Sequence, residues 1–194
     1  MATILVKDAN ANSVSIPITP IGQQASANSM SVVFASDQSA LKALSTAASG
    51  EVVPTVTASS AYVAGNVVGA AMTFTNMLNS TTYNGILQSI TLKFKASLQT
   101  GSYALAIFSG SPAGTYTDKS APTFNASDNA TLLGIYQLNT PMSSLGTHTI
   151  YNLDGIGKQI VGSSTSLYAV LIATTATVAY ASTSDVVVRM SVIN

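Results

Sequence analysis

The clearest pattern in the chain lies in "GILQSITLKFKAS", residues 85–97. Ile90, Leu92 and Phe94 alternate with Thr91, Lys93 and Lys95, the period of a strand with one buried face. Shorter β-branched and aromatic runs recur on both sides. They predict strands over 52–57, 62–68 (with 71–74 as a possible extension), 103–108, 132–138, 147–153, 167–173, 178–182 and 186–193. Spacers such as "QTGS", "NTPMSSLG" and "DGIGKQIVGSS" carry turn chemistry. About nine short strands without a long helical pattern predict an all-β fold: an antiparallel β-sandwich, jelly-roll-like, over residues 51–194. The spacer 109–130 is expected to be an exposed loop.

Residues 1–50 read as an extended N-terminal arm. "TILVK" (3–7) and "SVSIPI" (13–18) predict two short strands joined by the turn residues "DANAN". Pro17 and Pro20 argue against a central strand, so an edge hairpin or a segment laid on another subunit is expected. "GQQASANS" (22–29) is small and polar, 30–35 predicts a short strand, and Ser36 or Asp37 can cap a short helix through Leu44. "STAASG" (45–50) then reads as a linker.

Composition sharpens this picture. Of the 194 residues, 47% are hydrophobic and only 7% charged, with 7 Lys+Arg against 7 Asp+Glu. Typical soluble domains carry about 25% charged residues. A chain with no cationic excess is poorly suited to a phosphate backbone, so no nucleic-acid partner is expected. Few charges and zero net charge remove the usual guard against association, which suits a subunit of a large assembly. Cys is absent, which excludes disulfides and thiolate chemistry. "MATILVKDAN" has no signal-peptide pattern, so synthesis in a cytoplasm without export is expected. "TSLYAVLIATTATVAYASTS" (165–184) approaches the length of a membrane span, but its threonines and serines suit two buried strands better; no membrane association is expected.

Candidate chemistry is sparse. The one histidine, His148, would need a nucleophile and an orienting acid; Asp154 is near in sequence, but no Gly-x-Ser-x-Gly elbow exists. Asp118, Asp128, Asp154 and Asp185 are well separated, and Glu51 stands in the linker, so no spacing suggests a carboxylate pair. One His and no Cys exclude the usual zinc sets, and "SDNAT" (127–131) reads as a turn rather than a calcium loop. No catalytic residue, cofactor or metal is expected. Tyr83, Tyr116 and Phe124 lie in or near loops and could stack on sugar faces.

"SANSMSVVFASDQSALKAL" (26–44), with its Ala35-Ser36-Asp37-Gln38-Ser39-Ala40 run, resembles a segment of virion proteins of tailed bacteriophages and prophages. "AYVAGNVVGAAMTFTN" (61–76), "GILQSITLKFKAS" (85–97) and "ALAIFSGSPAGTYTD" (104–118) follow in the order typical of such a module, and the resemblance extends from about Gly22 to the C-terminus. It implies a non-enzymatic particle component. The first reading is a capsid decoration, or cement, protein: a homotrimer on the capsid surface that binds the major capsid protein and stabilises the head. Ile4, Val6, Ile16, Ile18, Met30, Val32 and Phe34 of the arm are the expected contacts, because they have no obvious local core. The alternative is a tail, baseplate or fibre protein whose sandwich binds a host glycan.

Overall fold

The computed structural model describes residues 3–7, 13–17, 47–141 and 143–194. Two compact units divide the chain, 1–42 and 43–194. In the first, β1 (Thr3–Lys7) and β2 (Ser13–Pro17) form an antiparallel hairpin, with Ile4 opposite Ile16 and Val6 opposite Val14. The expected strand at 30–35 and helix through Leu44 lie outside the described residues.

The second unit is an all-β sandwich. Its strands are β3 (Ala47–Val52), β4 (Met72–Phe74), β5 (Asn84–Phe94), β6 (Tyr103–Phe108), β7 (Leu132–Leu138), β8 (Ser143–Leu145), β9 (His148–Leu153), β10 (Lys158–Val161), β11 (Leu167–Ala173) and β12 (Val186–Ile193), with one short helix, α1 (Ala126–Thr131). The large sheet runs β3-β12-β5-β9-β8, with β10 also on β5; the small sheet runs β4-β11-β6-β7; all pairings are antiparallel. The pairing is nested along the chain. β3 meets β12, β4 meets β11, β5 meets β9 and β10, and β6 meets β7. A hairpin folded over in this way gives the jelly-roll order.

The core lies between the sheets. Leu92, Phe94, Leu105, Ile107, Leu171, Val188 and Met190 are among its fully buried members. On β5 the buried positions change parity: Gly85 and Leu87 point inward, then Ile90, Leu92 and Phe94. A bulge at Gln88 accounts for this, because Ser89 pairs with Ser191 but the next pair is Leu87 with Val192. The extra residue keeps both halves of a long strand facing the core. On the other side of β5, β9 and β10 act as one interrupted strand. Asp154–Gly157 fill the break, where Gly155 and Gly157 adopt φ of 68° and 62°, values that glycine accepts at no steric cost.

One end of the sandwich is closed by loops rather than by the strands expected at 52–57, 62–68 and 178–182. Val56 N–H donates to Thr183 O (3.0 Å), Ser59 N–H to Tyr180 O (2.8 Å) and Thr177 N–H to Tyr62 O (3.0 Å), while 65–68 bond to the end of β11, Gly65 N–H to Ala173 O (2.7 Å) and Val68 N–H to Leu171 O (2.8 Å), through the single bridge Val67–Ile172. Tyr62, Phe94, Tyr103, Tyr151 and Tyr180 form an aromatic plug there, with neighbouring ring centroids 4.9–6.0 Å apart. Gln99 stitches the same end: its amide carbonyl accepts from Tyr103 Oη and Val178 N–H, and its amide nitrogen donates to Ser97 and Val178 O. Val178 and Tyr180, alternating with alanine, thus gave a strand pattern to a plug. Residues 47–50, which read as linker, are the first part of β3. Gly50 faces inward on it, where an added Cβ would stand 2.6 Å from Met77 Sδ.

Candidate functional site

The acidic residues are the first place to look for chemistry, and three of them are committed to holding loops. The Asp118 carboxylate accepts from Thr57 N–H (2.9 Å), Thr57 Oγ1 (2.7 Å), Gly69 N–H (2.6 Å) and Tyr62 Oη (2.7 Å). Asp128 accepts from Ala113 N–H (2.6 Å), Gly114 N–H (3.1 Å), Asn125 N–H (2.8 Å) and Tyr116 Oη (2.6 Å). Asp185 accepts from Ala96 N–H (2.6 Å), Ala181 N–H (3.3 Å) and the Ser97 hydroxyl. The Tyr116 hydroxyl, followed by the backbone donors, holds Asp128 below the usual carboxylate range. Burial pushes Tyr116 and Tyr62 up, helped by hydrogen bonds to Asp128 and Asp118 respectively.

The other candidates stand apart. His148 opens β9 and Asp154 follows its far end, so both are exposed and roughly 20 Å of extended chain separates them. The "SDNAT" segment is the body of α1, capped by Asn125, and its Asp128 oxygens face protein donors. Among the described residues, no group of three or more acidic or histidine side chains is placed to hold a metal ion, and no helix is long and apolar enough to cross a membrane. Residues 165–184 contain β11 and part of the loop plug.

The spacer 109–130 does not project as a simple exposed loop. Val67 N–H donates to Ser120 O and Lys119 N–H to Val67 O, so the excursion crosses to the opposite end of the sandwich before returning. On the way Tyr116 and Val67 pack with Ala106, Phe108 and Val170 on the outer face of the small sheet. This explains why all six residues of β6 are buried: both of its faces are covered. Tyr116 is therefore core. Phe124, 42% exposed, leans edge-on against it at 5.5 Å, and Tyr83 stands exposed in a different loop. The aromatics expected to stack on sugars do not form one exposed platform.

The large sheet is different. Its inward positions are Val186, Val188, Met190 and Val192 on β12, and Ile90, Leu92 and Phe94 on β5. The alternate positions face away from the core, and among the described residues no loop packs a second hydrophobic cluster on them. Register sets out the rows of this face. Glu51, Arg189, Thr91 and Asn152 lie side by side across β3, β12, β5 and β9; Val187, Lys93 and Ile150 form the next row. Ser49, Ser191 and Ser89 lie on the other side of the first row, followed by Ile193 and Ile86. Glu51, Thr91, Lys93, Val187 and Arg189 line a shallow cavity of about 160 Å³. Arg189 Nη2 donates to Glu51 Oε2 at 3.1 Å.

Of the contacts expected in the arm, Ile4, Val6 and Ile16 occupy hairpin positions that share one face, together with Val14, which the sequence reading omitted. Ile18, Met30, Val32 and Phe34 lie outside the described residues. The sequence reading also omitted the large-sheet face. Thr91, Lys93 and Lys95 announce it by alternation, but "VVVRMSVI" hides it, because Val187 and Ile193 are apolar on the outward side. In comparisons with known proteins, no family model matches the chain and no curated protein matches it.

Proposed function

We propose that the chain is a non-enzymatic virion structural protein, a capsid decoration protein that binds the outer shell and stabilises the head. The observation that carries the reading is the unequal treatment of the two outer faces. The chain's own excursion over 109–131 covers β6 and β11 of the small sheet and leaves Ile135 of β7 exposed, while the large sheet keeps a broad face of Ser, Thr and aliphatic residues around Glu51, Lys93 and Arg189. A face of that kind suits protein contact, where shape and sparse polar groups matter more than reactive ones. Asp118, Asp128 and Asp185 serve as loop staples, which fits an architecture built for rigidity. The resemblance of residues 22–194 to phage virion proteins supplies the particle context, and jelly rolls recur in viral shells, though also in lectins and cupins. In this reading the hairpin positions Ile4, Val6, Val14 and Ile16 supply a second contact, since a two-stranded hairpin is stabilised by burying one face. Many modest contacts in a trimer then sum by avidity.

The test is co-sedimentation of the full chain, and of a chain lacking residues 1–42, with particles stripped of this protein. The full chain is expected to saturate the heads and the truncated chain to bind more weakly. Absence of binding by the full chain, or binding only to isolated tails, overturns the reading. Tail binding that a host glycan competes away would establish the adhesin alternative.

A further inference from the structure

We propose that the depression between Lys93 and Arg189 on the uncovered face of the large sheet receives a carboxylate from an acidic segment of a partner protein. The inference rests on the reading of that face as a docking surface, and it names the chemistry of the partner.

The argument begins with where the charges go. In residues 43–194 the cations are Lys93, Lys95, Lys119, Lys158 and Arg189, and the acids are Glu51, Asp118, Asp128, Asp154 and Asp185. The formal balance is even. Three of the acids, however, turn their oxygens inward to loop donors, none of which is a cationic side chain. Lys119 and Lys158 are likewise engaged, by Ser60 Oγ and Leu133 O, which leaves Lys93, Lys95 and the Glu51-paired Arg189 against Asp154 as the groups most open to a partner. On the large-sheet face Lys93 and Arg189 stand with Glu51, with Lys95 and His148 at one margin and Asp154 beyond the end of β9.

The local geometry concentrates this excess. Lys93 pairs with Val187 in the β5–β12 register, and Arg189 lies two residues further along β12, which sets the two cations on diagonal positions roughly 7 Å apart at the backbone. Lys93 is half-buried and has no hydrogen-bond or ion-pair partner among the described residues. Glu51 engages one guanidinium nitrogen of Arg189, and the other guanidinium donors have no partner among the described residues. Val187, only 2% exposed, makes an apolar floor, and Thr91 contributes a hydroxyl. A cavity of about 160 Å³ lined by two cations, a hydroxyl, a buried valine and the Glu51 carboxylate that already holds Arg189 fits the end of one Asp or Glu side chain on its Lys93 side. It does not fit a polyanion, whose binding needs a longer cationic track.

The test is a titration of the ¹⁵N-labelled full chain with tetraglutamate peptide, followed by amide shifts, with a heparin disaccharide and inorganic phosphate as parallel probes. The expected result is saturable shifts confined to Glu51, Thr91–Lys95 and Val187–Arg189, weakening as salt is raised. Lys93→Gln, whose own spectrum reports that it folds, should lower the affinity about fivefold, and Lys93→Arg should keep it within about twofold. Shifts elsewhere, no shifts, unchanged affinity in Lys93→Gln, or equal response to heparin or phosphate overturn the inference. The docking reading is judged separately. Particles that bind the full chain while the peptide does not would sink only the carboxylate site; particles that refuse the full chain would sink the docking reading whatever the peptide does.

Discussion

Replacing Asp118 by Ala removes the staple that ties the 109–131 excursion to the far end of the sandwich. Four donors point at this carboxylate, but they do not all become orphans. Thr57 N–H also lies 2.8 Å from Tyr62 Oη, and the Thr57 hydroxyl can rotate to water. Gly69 N–H and Tyr62 O–H are the losses that matter, since Gly69 and Tyr62 are buried. Stranding a buried donor costs about 1–3 kcal/mol, so the pair costs roughly 3 kcal/mol once the partial exposure of Asp118 is allowed for. With a urea dependence of about 2 kcal/mol per M, the unfolding midpoint should fall by roughly 1.5 M. Asp118→Asn keeps the shape but turns a donor toward one pair of donors, and it should lose about half as much. Hydrogen exchange gives the local reading: protection at Val67 and across 115–123 should drop before that of β5 and β12. A midpoint shift below about 0.5 M for the Ala variant, or exchange unchanged in 115–123, would refute the idea that Asp118 holds the cover in place.

Other consequences follow from the same structure. Burial pushes Tyr151 and Tyr180 up to about 12, so their contribution is complete below the ordinary tyrosine value near 10 and is lost as the pH rises toward 12; absorbance of tyrosinate at 295 nm should appear together with unfolding rather than before it. Asp128 is held low, so its contribution is present above pH ~4 and disappears as the pH falls below that; Asp128→Asn should flatten the acid limb of a stability–pH curve measured by urea unfolding. Deleting Gln88 removes the bulge and sets the two halves of β5 out of phase, which should give insoluble chain on expression, whereas Gln88→Ala should shift the urea midpoint by less than about 0.5 M. Gly50→Ala drives a methyl toward Met77 Sδ and should cost about 1–3 kcal/mol in the same assay.

Much of the sandwich was legible because burial writes itself into the chain with a fixed period. Ile90, Leu92 and Phe94 gave the half-buried β5, and the unbroken "YALAIF" gave β6 with its limits intact. What the pattern could not convey was why "YALAIF" is apolar on both sides. That depends on Tyr116 and Val67 folding over it, and the bonds that hold them there join residues 49 and 61 positions apart. Residues 178–182 misled for a related reason. Val178 and Tyr180 alternating with alanine satisfy a ladder or a loop plug equally well, and Tyr180 packs on Phe94 and Tyr62 without pairing in a strand. The large-sheet face was half legible: the lysines of β5 showed it, while Val187 and Ile193 disguised β12 as a wholly buried strand. Chemistry was hardest to read. Asp118, Asp128 and Asp185 were candidates in sequence because nothing there reveals that backbone donors surround them.

The proposed place of this chain in a viral head is tested most directly by immunogold labelling of purified virions with an antibody raised against it. Gold distributed over the surface of the head is the predicted result. Gold confined to the tail, or purified virions that carry no label, would contradict the account.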